Sequence, residues 1–165
     1  MYDADVKASQ KGDQAAFSRL IESNQQSMYR VAYAMLQNDS DALDAIQESI
    51  IKAYISINRL QKSELFKTWL IRILINQCNY LLRQRKKVIP LEVTMTERKT
   101  RAEPDIDTQL TVKVALQKLD EQLRIIVVLF YYEDLSIKEI ARLSNLPVGT
   151  VKSRLNRARS PPLYR

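Results

Sequence analysis

Two glycines in 165 residues, Gly12 and Gly149, set the tightest constraint on this chain. Glycine supplies the positive φ that hairpin turns and phosphate-cradling loops need. A many-stranded fold, a Walker-type loop and a dinucleotide fingerprint therefore lack their raw material. Apolar residues instead recur at three- and four-residue intervals along most of the chain, the spacing of one helix face. The expected class is all-α: two small helical domains joined by a flexible linker, the C-terminal one containing a helix-turn-helix.

Absences prune the chemistry further. With no histidine, His-based triads, imidazole acid–base catalysis and most zinc sites are excluded. The single cysteine, Cys78, lies in an apolar helical pattern and reads as a small core residue. One cysteine forms no internal disulfide, which fits a reducing cytoplasm. The opening MYDADVKASQKGD is polar, so no signal peptide is expected. No run approaches the roughly 18 apolar residues of a membrane span. A net charge of +7 points to a polyanionic partner. A cytoplasmic binding protein without catalytic residues, metal, cofactor or small-molecule substrate is the expectation.

Phe17, Leu20, Ile21 and Asn24 mark a helix from Gln14, and Met28, Val31, Ala32, Met35 and Leu36 a second from about Gln26 to Gln37. Asn38-Asp39-Ser40 reads as a turn in which Asp39 or Ser40 caps the next helix. In that helix, about Asp41 to Ile57, the expected buried stripe is Leu43, Ile46, Ile50, Ala53, Tyr54 and Ile57. Asp41, Asp44 and Glu48 share another face, and no Lys or Arg lies between Val31 and Ile51 to neutralise them. Two readings stand: acids favoured by a helix N-terminus, or a docking face for a basic protein surface, since DNA would repel it.

After a polar connection, Asn58 to Ser63, a helix from about Glu64 to Lys86 turns Phe66, Leu70, Ile73, Leu74, Cys78, Leu81 and Leu82 inward. Lys67, Trp69, Arg72 and Asn76 lie close together on helical spacing. Basic, amide and aromatic groups interleaved in this way suit single-stranded nucleic acid; for Trp69 itself a place in the core is the competing reading. Periodicity fades from Val88 to Asp107, where Pro90, Pro104 and dense mixed charge mark a linker. The expected domains are residues 1–87 and 108–165, with 88–107 between them.

The second domain begins with Leu110, Val114, Leu116 and Leu119 on one helix, and Asp120 capping another through Leu123, Ile126, Val127, Phe130 and Tyr131. Ser136, three residues before Glu139, is a capping-box signature. Ile137, Ile140, Ala141 and Leu143 form the stripe of that helix, and Asn145 tolerates the left-handed conformation that closes it. Pro147 then stands where another helix begins. Val148, Val151 and Leu155 pack it inward, leaving Thr150, Lys152, Ser153, Arg154, Asn156, Arg157 and Arg159 on its other faces. This is the layout of a helix-turn-helix. From Ile140 to Arg165 there are six Lys or Arg and no Asp or Glu, a one-sided bias that favours phosphate binding over a merely solvated surface.

Two segments now agree on one family. Asp41-Ala42-Leu43-Asp44-Ala45-Ile46-Gln47-Glu48 and Phe66-Lys67-Thr68-Trp69-Leu70-Ile71-Arg72-Ile73 with Asn76 match in the first domain. Leu135 to Ala141 and Pro147 to Leu155, continuing through Arg157-Ala158-Arg159, match in the second. The chain resembles the extracytoplasmic-function sigma factors of bacterial RNA polymerase, from about Asp13 to Arg159. The resemblance implies that Asp41, Asp44, Gln47 and Glu48 dock on core RNA polymerase. It implies that Asn58, Lys62, Lys67, Trp69, Arg72 and Asn76 read and melt the −10 region of promoter DNA, and that Thr150, Lys152, Ser153, Arg154, Arg157 and Arg159 contact the −35 duplex. It also implies a stress or envelope response, and an anti-sigma factor, free or membrane-anchored, covering these same surfaces. The family pattern continues as helix beyond Arg159, whereas here Ser160-Pro161-Pro162 stops it. A stand-alone helix-turn-helix regulator on duplex operator DNA is the alternative, and it leaves the acidic helix and the Trp69 face without a purpose.

Overall fold

In the computed structural model the described residues are 2–87 and 114–159, with helices and turns and no strand among them. The chain divides into two compact units, Met1–Leu91 and Glu92–Arg165. The expected linker and the stop at Ser160-Pro161-Pro162 lie outside the described residues.

The first unit contains α1 (Asp3–Gln10), α2 (Gln14–Glu22), α3 (Gln25–Leu36), α4 (Asp39–Ser56) and α5 (Phe66–Lys87), with single 3-10 turns at Ile57–Arg59 and Ser63–Leu65 between the last two. α3, α4 and α5 pack on one another pairwise, while α1 packs on α2 and on both 3-10 turns. Local chemistry sets the joints. The Asp13 side chain accepts from the Ala16 N–H at 3.1 Å and starts α2. Between α3 and α4, Gln37 takes a left-handed conformation (φ 53°), and the Asn38 side chain accepts from the Asp41 N–H at 2.8 Å. The cap is therefore Asn38, not Asp39 or Ser40, because only there is the backbone extended while the side chain reaches back to the first turn.

The structure adds one helix to the sequence reading and changes which residues two others bury. The polar opening segment is a helix: α1 buries Val6 and Ser9, one turn of anchoring that leaves too short an apolar pattern to see in the sequence. On α4 the buried stripe is Ala42, Ala45, Ser49 and Ala53, whereas Leu43 (53% exposed) and Tyr54 (43%) face outward and Ile46 and Ile50 are half-buried. Small inward residues let α4 lie close against its neighbours, and the larger ones are displaced to the outer side. On α5, Ile71, Ile75 and Gln77 join Phe66, Leu70, Leu74 and Cys78 inside, while Ile73, Leu81 and Leu82 are only half-buried. Gln77 is satisfied there by Lys52 of α4, whose ammonium donates to it at 2.8 Å.

Burial pushes the Cys78 thiol up to about 12. At pH 8 it is therefore protonated as well as inaccessible, and a thiolate reagent has nothing to attack. Native protein should stay unlabelled by a disulfide reagent such as DTNB for as long as it stays folded, and take up one equivalent on unfolding in guanidinium. Rapid native labelling would contradict this placement.

In the second unit residues 114–117 are helical. α6 (Glu121–Val127) runs on into a π-turn (Val128–Tyr132) and is followed by α7 (Ile137–Ser144) and α8 (Val148–Arg159). Asp120 stands at the N-cap of α6, but its side chain makes no capping bond. The core gathers Leu123, Ile126, Val128, Leu129, Leu135, Ile140, Ala141, Leu143, Val151 and Leu155. Tyr131 and Val148, expected inside, are exposed, and Val127, Phe130 and Ile137 are half-buried. The π-turn, closed by the Glu133 N–H on the Val128 carbonyl at 3.1 Å, widens the helix by a residue and shifts the register read from a uniform 3.6 spacing. The capping box is present in both directions, Ser136 and Glu139 each accepting the other's N–H. Asn145 closes α7 at φ 60°, and the Pro147 carbonyl accepts from the Thr150 and Val151 N–H groups to open α8.

Candidate nucleic-acid interface

Three groups of exposed polar side chains stand on this scaffold. The first is on α4. Asp44, Gln47 and Glu48 are exposed on its outer side beside Leu43, Ile51 and Ile55, the last 73% exposed. Asp41 behaves differently: its carboxylate is paired with Arg85 of α5, which also donates to the Leu36 carbonyl at 3.3 Å. The acidic face is therefore not wholly unneutralised, because a cation 44 positions along the chain reaches back to it.

The second group is the connection between α4 and α5 and the outer side of α5. Ile57 (3% exposed) and Leu60 (9%) anchor the connection from below, leaving Asn58, Arg59, Gln61 and Lys62 exposed. α1 supports it from behind. The Gln10 side-chain nitrogen donates to the carbonyls of Ile57 at 2.9 Å and Leu60 at 3.0 Å. The Ser63 hydroxyl donates to Asp3 at 2.6 Å, and that hydrogen bond, followed by Lys7, holds the Asp3 carboxyl below the usual carboxylate range. On α5, Arg72 and Asn76 are exposed one turn apart, while Lys67 and Trp69 are half-buried. The Trp69 ring lies 5.7 Å from that of Phe66, tilted by 45°, so it is part core and part surface, between the two readings the sequence allowed. Gln10 and Asp3 were not expected here. Only recognition of α1 as a helix would have put them within reach.

The third group is on α8. Lys152, Ser153, Arg157 and Arg159 are exposed, and Thr150 and Arg154 half-buried. Arg159 is held back against its own unit, its Nε–H donating to the Tyr131 hydroxyl at 2.9 Å. Among the described residues no cluster of three His, Cys, Asp or Glu side chains is placed to hold a metal ion, and no helix is long and apolar enough to cross a membrane.

Comparison with known proteins gives this arrangement its context. The sigma-70 region 2 family matches residues 20–88 and the sigma-70, region 4 family residues 109–160, so α1 lies ahead of the first match. The ECF RNA polymerase sigma factor SigW of Bacillus subtilis is 33% identical over 169 residues, covering 93% of this chain and 90% of that protein. The RNA polymerase sigma factor SigV of the same organism is 33% identical over 138 residues, covering 84% and 83%. The fold is shared with the sigma factor RpoE of Bartonella quintana, solved with the anti-sigma factor NepR, at a TM-score of 0.66 and 23% identity over 87% of this chain and 91% of that one. With both sigma-70 regions in order and two such relatives matched over most of their lengths, the chain belongs to the extracytoplasmic-function sigma factors and directs transcription initiation by RNA polymerase.

Proposed function

We propose that this sigma factor holds core RNA polymerase through the outer side of α4 and promoter DNA through two separate readers. The reading rests on the segregation of charge within the first unit: exposed Asp44 and Glu48 on α4, exposed Asn58, Lys62, Arg72 and Asn76 on the connection and α5. Acids repel DNA and suit a basic protein surface, and apolar Leu43, Ile51 and Ile55 beside them give the centre-and-rim composition of a protein interface. Asp41 serves this face indirectly, through its pairing with Arg85.

The α4–α5 connection with Lys67, Trp69, Arg72 and Asn76 reads the −10 region as opened strand. Taking a base out of the stack costs a few kcal/mol, recovered by contacts that exist only once it has flipped, so melting and recognition become one event. α8 reads the −35 region as duplex through Thr150, Lys152, Ser153, Arg154 and Arg157. Arg159, engaged with Tyr131, acts at the edge of that surface. The domains are then residues 1–87 for polymerase and −10 contacts and 108–165 for the −35 contact, with 88–107 linking them. The chain works without catalysis of its own, in the cytoplasm, in a stress or envelope response. The B. quintana relative was solved with an anti-sigma factor, and we infer a partner of that kind for this chain, covering the same surfaces.

Run-off transcription tests the whole. Core polymerase with a matching promoter should initiate only when this chain is added. Tight duplex binding by the chain alone, with no effect on polymerase, would instead favour the stand-alone regulator. Within the scheme, Arg154→Ala should lower initiation from −35-dependent promoters by about tenfold, the discrimination of one bidentate arginine–guanine contact being about 1–3 kcal/mol. Unchanged initiation would make α8 structural there.

A further inference from the structure

We infer that Gln10 is a positioning residue for −10 recognition: from α1 it sets the shape of the loop that presents Asn58 and Lys62. The inference rests on the reading of that loop proposed above. One amide nitrogen carries two N–H groups, and here they go to two carbonyls three residues apart, Ile57 at 2.9 Å and Leu60 at 3.0 Å. The Leu60 N–H closes on the same Ile57 carbonyl at 3.1 Å. Drawing both carbonyls to one point forces the chain between them to arch, with Asn58 and Arg59 at the crown and exposed. Both partners are acceptors, so the side chain must present its nitrogen and not its oxygen. A second tether, the Ser63 hydroxyl on Asp3 at 2.6 Å, fixes the far end of the loop to the first turn of α1. The Tyr2 ring, 5.4 Å from Phe66, sets the start of α1 against the start of α5.

A loop that catches a flipped base gains from being shaped in advance, since ordering it on binding would cost conformational entropy. The loop's own closures include Leu60 on Ile57, Leu65 on Lys62 and Phe66 on Ser63, single turns with the poorer geometry of the 3-10 helix. α1 adds tethers from outside the loop, through Gln10 and Asp3. It packs on α2 and on both 3-10 turns of the loop, so −10 selectivity is where its effect should appear.

The test uses the full chain with core polymerase and a promoter library randomised across the −10 region, counting which sequences are transcribed. Gln10→Glu keeps the size of the side chain but turns a donor into an oxygen facing two carbonyl oxygens. Preference at one or more −10 positions should fall roughly three- to tenfold, the scale of one or two hydrogen bonds, and by more than in Gln10→Ala. Affinity for core polymerase and preference at −35 should stay unchanged. Ser63→Ala, which cuts only the second tether, should give a smaller loss at the same positions with an unchanged melting temperature. An unaltered −10 profile in Gln10→Glu overturns the proposal, as does a loss that merely follows melting temperature across the three variants. Asn58→Ala and Lys62→Ala separate recognition by the loop from its support by α1. If they blunt the profile and Gln10→Glu does not, the loop is the reader and the positioning role is wrong. If none of them does, the loop is not the reader, and the proposal falls with that reading.

Discussion

Glu48→Arg should cost this sigma factor its hold on core polymerase and leave its fold intact. Glu48 is exposed, so its replacement removes no packing, and surface changes of this kind shift stability by about 0.5 kcal/mol or less. If α4 docks on a basic surface of polymerase as proposed, the same change places like charges together, an effect on the order of 2–5 kcal/mol, or roughly thirtyfold and upward in affinity. Asp44→Arg should behave in the same way. Asp41→Arg should not: it would set a guanidinium against Arg85, which now pairs with Asp41 and donates to the Leu36 carbonyl, and so disturb the joint between α3, α4 and α5. Titration of labelled variants with core polymerase, beside thermal melts, separates the two behaviours. Wild-type affinity in both Asp44→Arg and Glu48→Arg would remove α4 as the docking helix.

Phe66→Ala should be the most damaging single truncation in the first unit. Phe66 is fully buried at the first position of α5, its ring between those of Tyr2 at 5.4 Å and Trp69 at 5.7 Å. Removing a buried phenylalanine ring costs about 3–5 kcal/mol, through lost transfer energy and the cavity left behind. Domains of this size have about 5–15 kcal/mol in all, so the variant would be near its unfolding threshold at 37 °C. Trp69, the single tryptophan, stands beside the cavity and reports it by fluorescence during urea unfolding. A loss below about 1 kcal/mol would mean that Tyr2 and Trp69 collapse into the space.

The helices with strong apolar periodicity were legible in the sequence. So was the whole turn of the helix-turn-helix, because Ser136, Glu139, Asn145 and Pro147 each act through local backbone chemistry. α1 was not legible, since only Val6 among its apolar residues is well buried and a helix anchored by one residue leaves no period. α4 misled for the opposite reason. Its sequence carries a convincing apolar stripe, but close helix packing selected Ala42, Ala45, Ser49 and Ala53 for the inside. Hydrophobicity alone does not reveal that size decides. The sites divide in the same way. Asp44, Glu48, Arg72, Asn76 and Lys152 could be placed from helical spacing, while the Asp41–Arg85 pair and the Gln10 bridge join residues 44 and about 50 positions apart. No local pattern encodes such pairs.

α4 is thus an inside-out helix, with alanines at the centre of the unit and Leu43, Ile51 and Ile55 in water. Before it meets polymerase the subunit carries a sticky outer seam, which favours self-association as its concentration rises. A partner that masks α4 would act as a solubiliser while it silences, keeping a reserve that can be released at once.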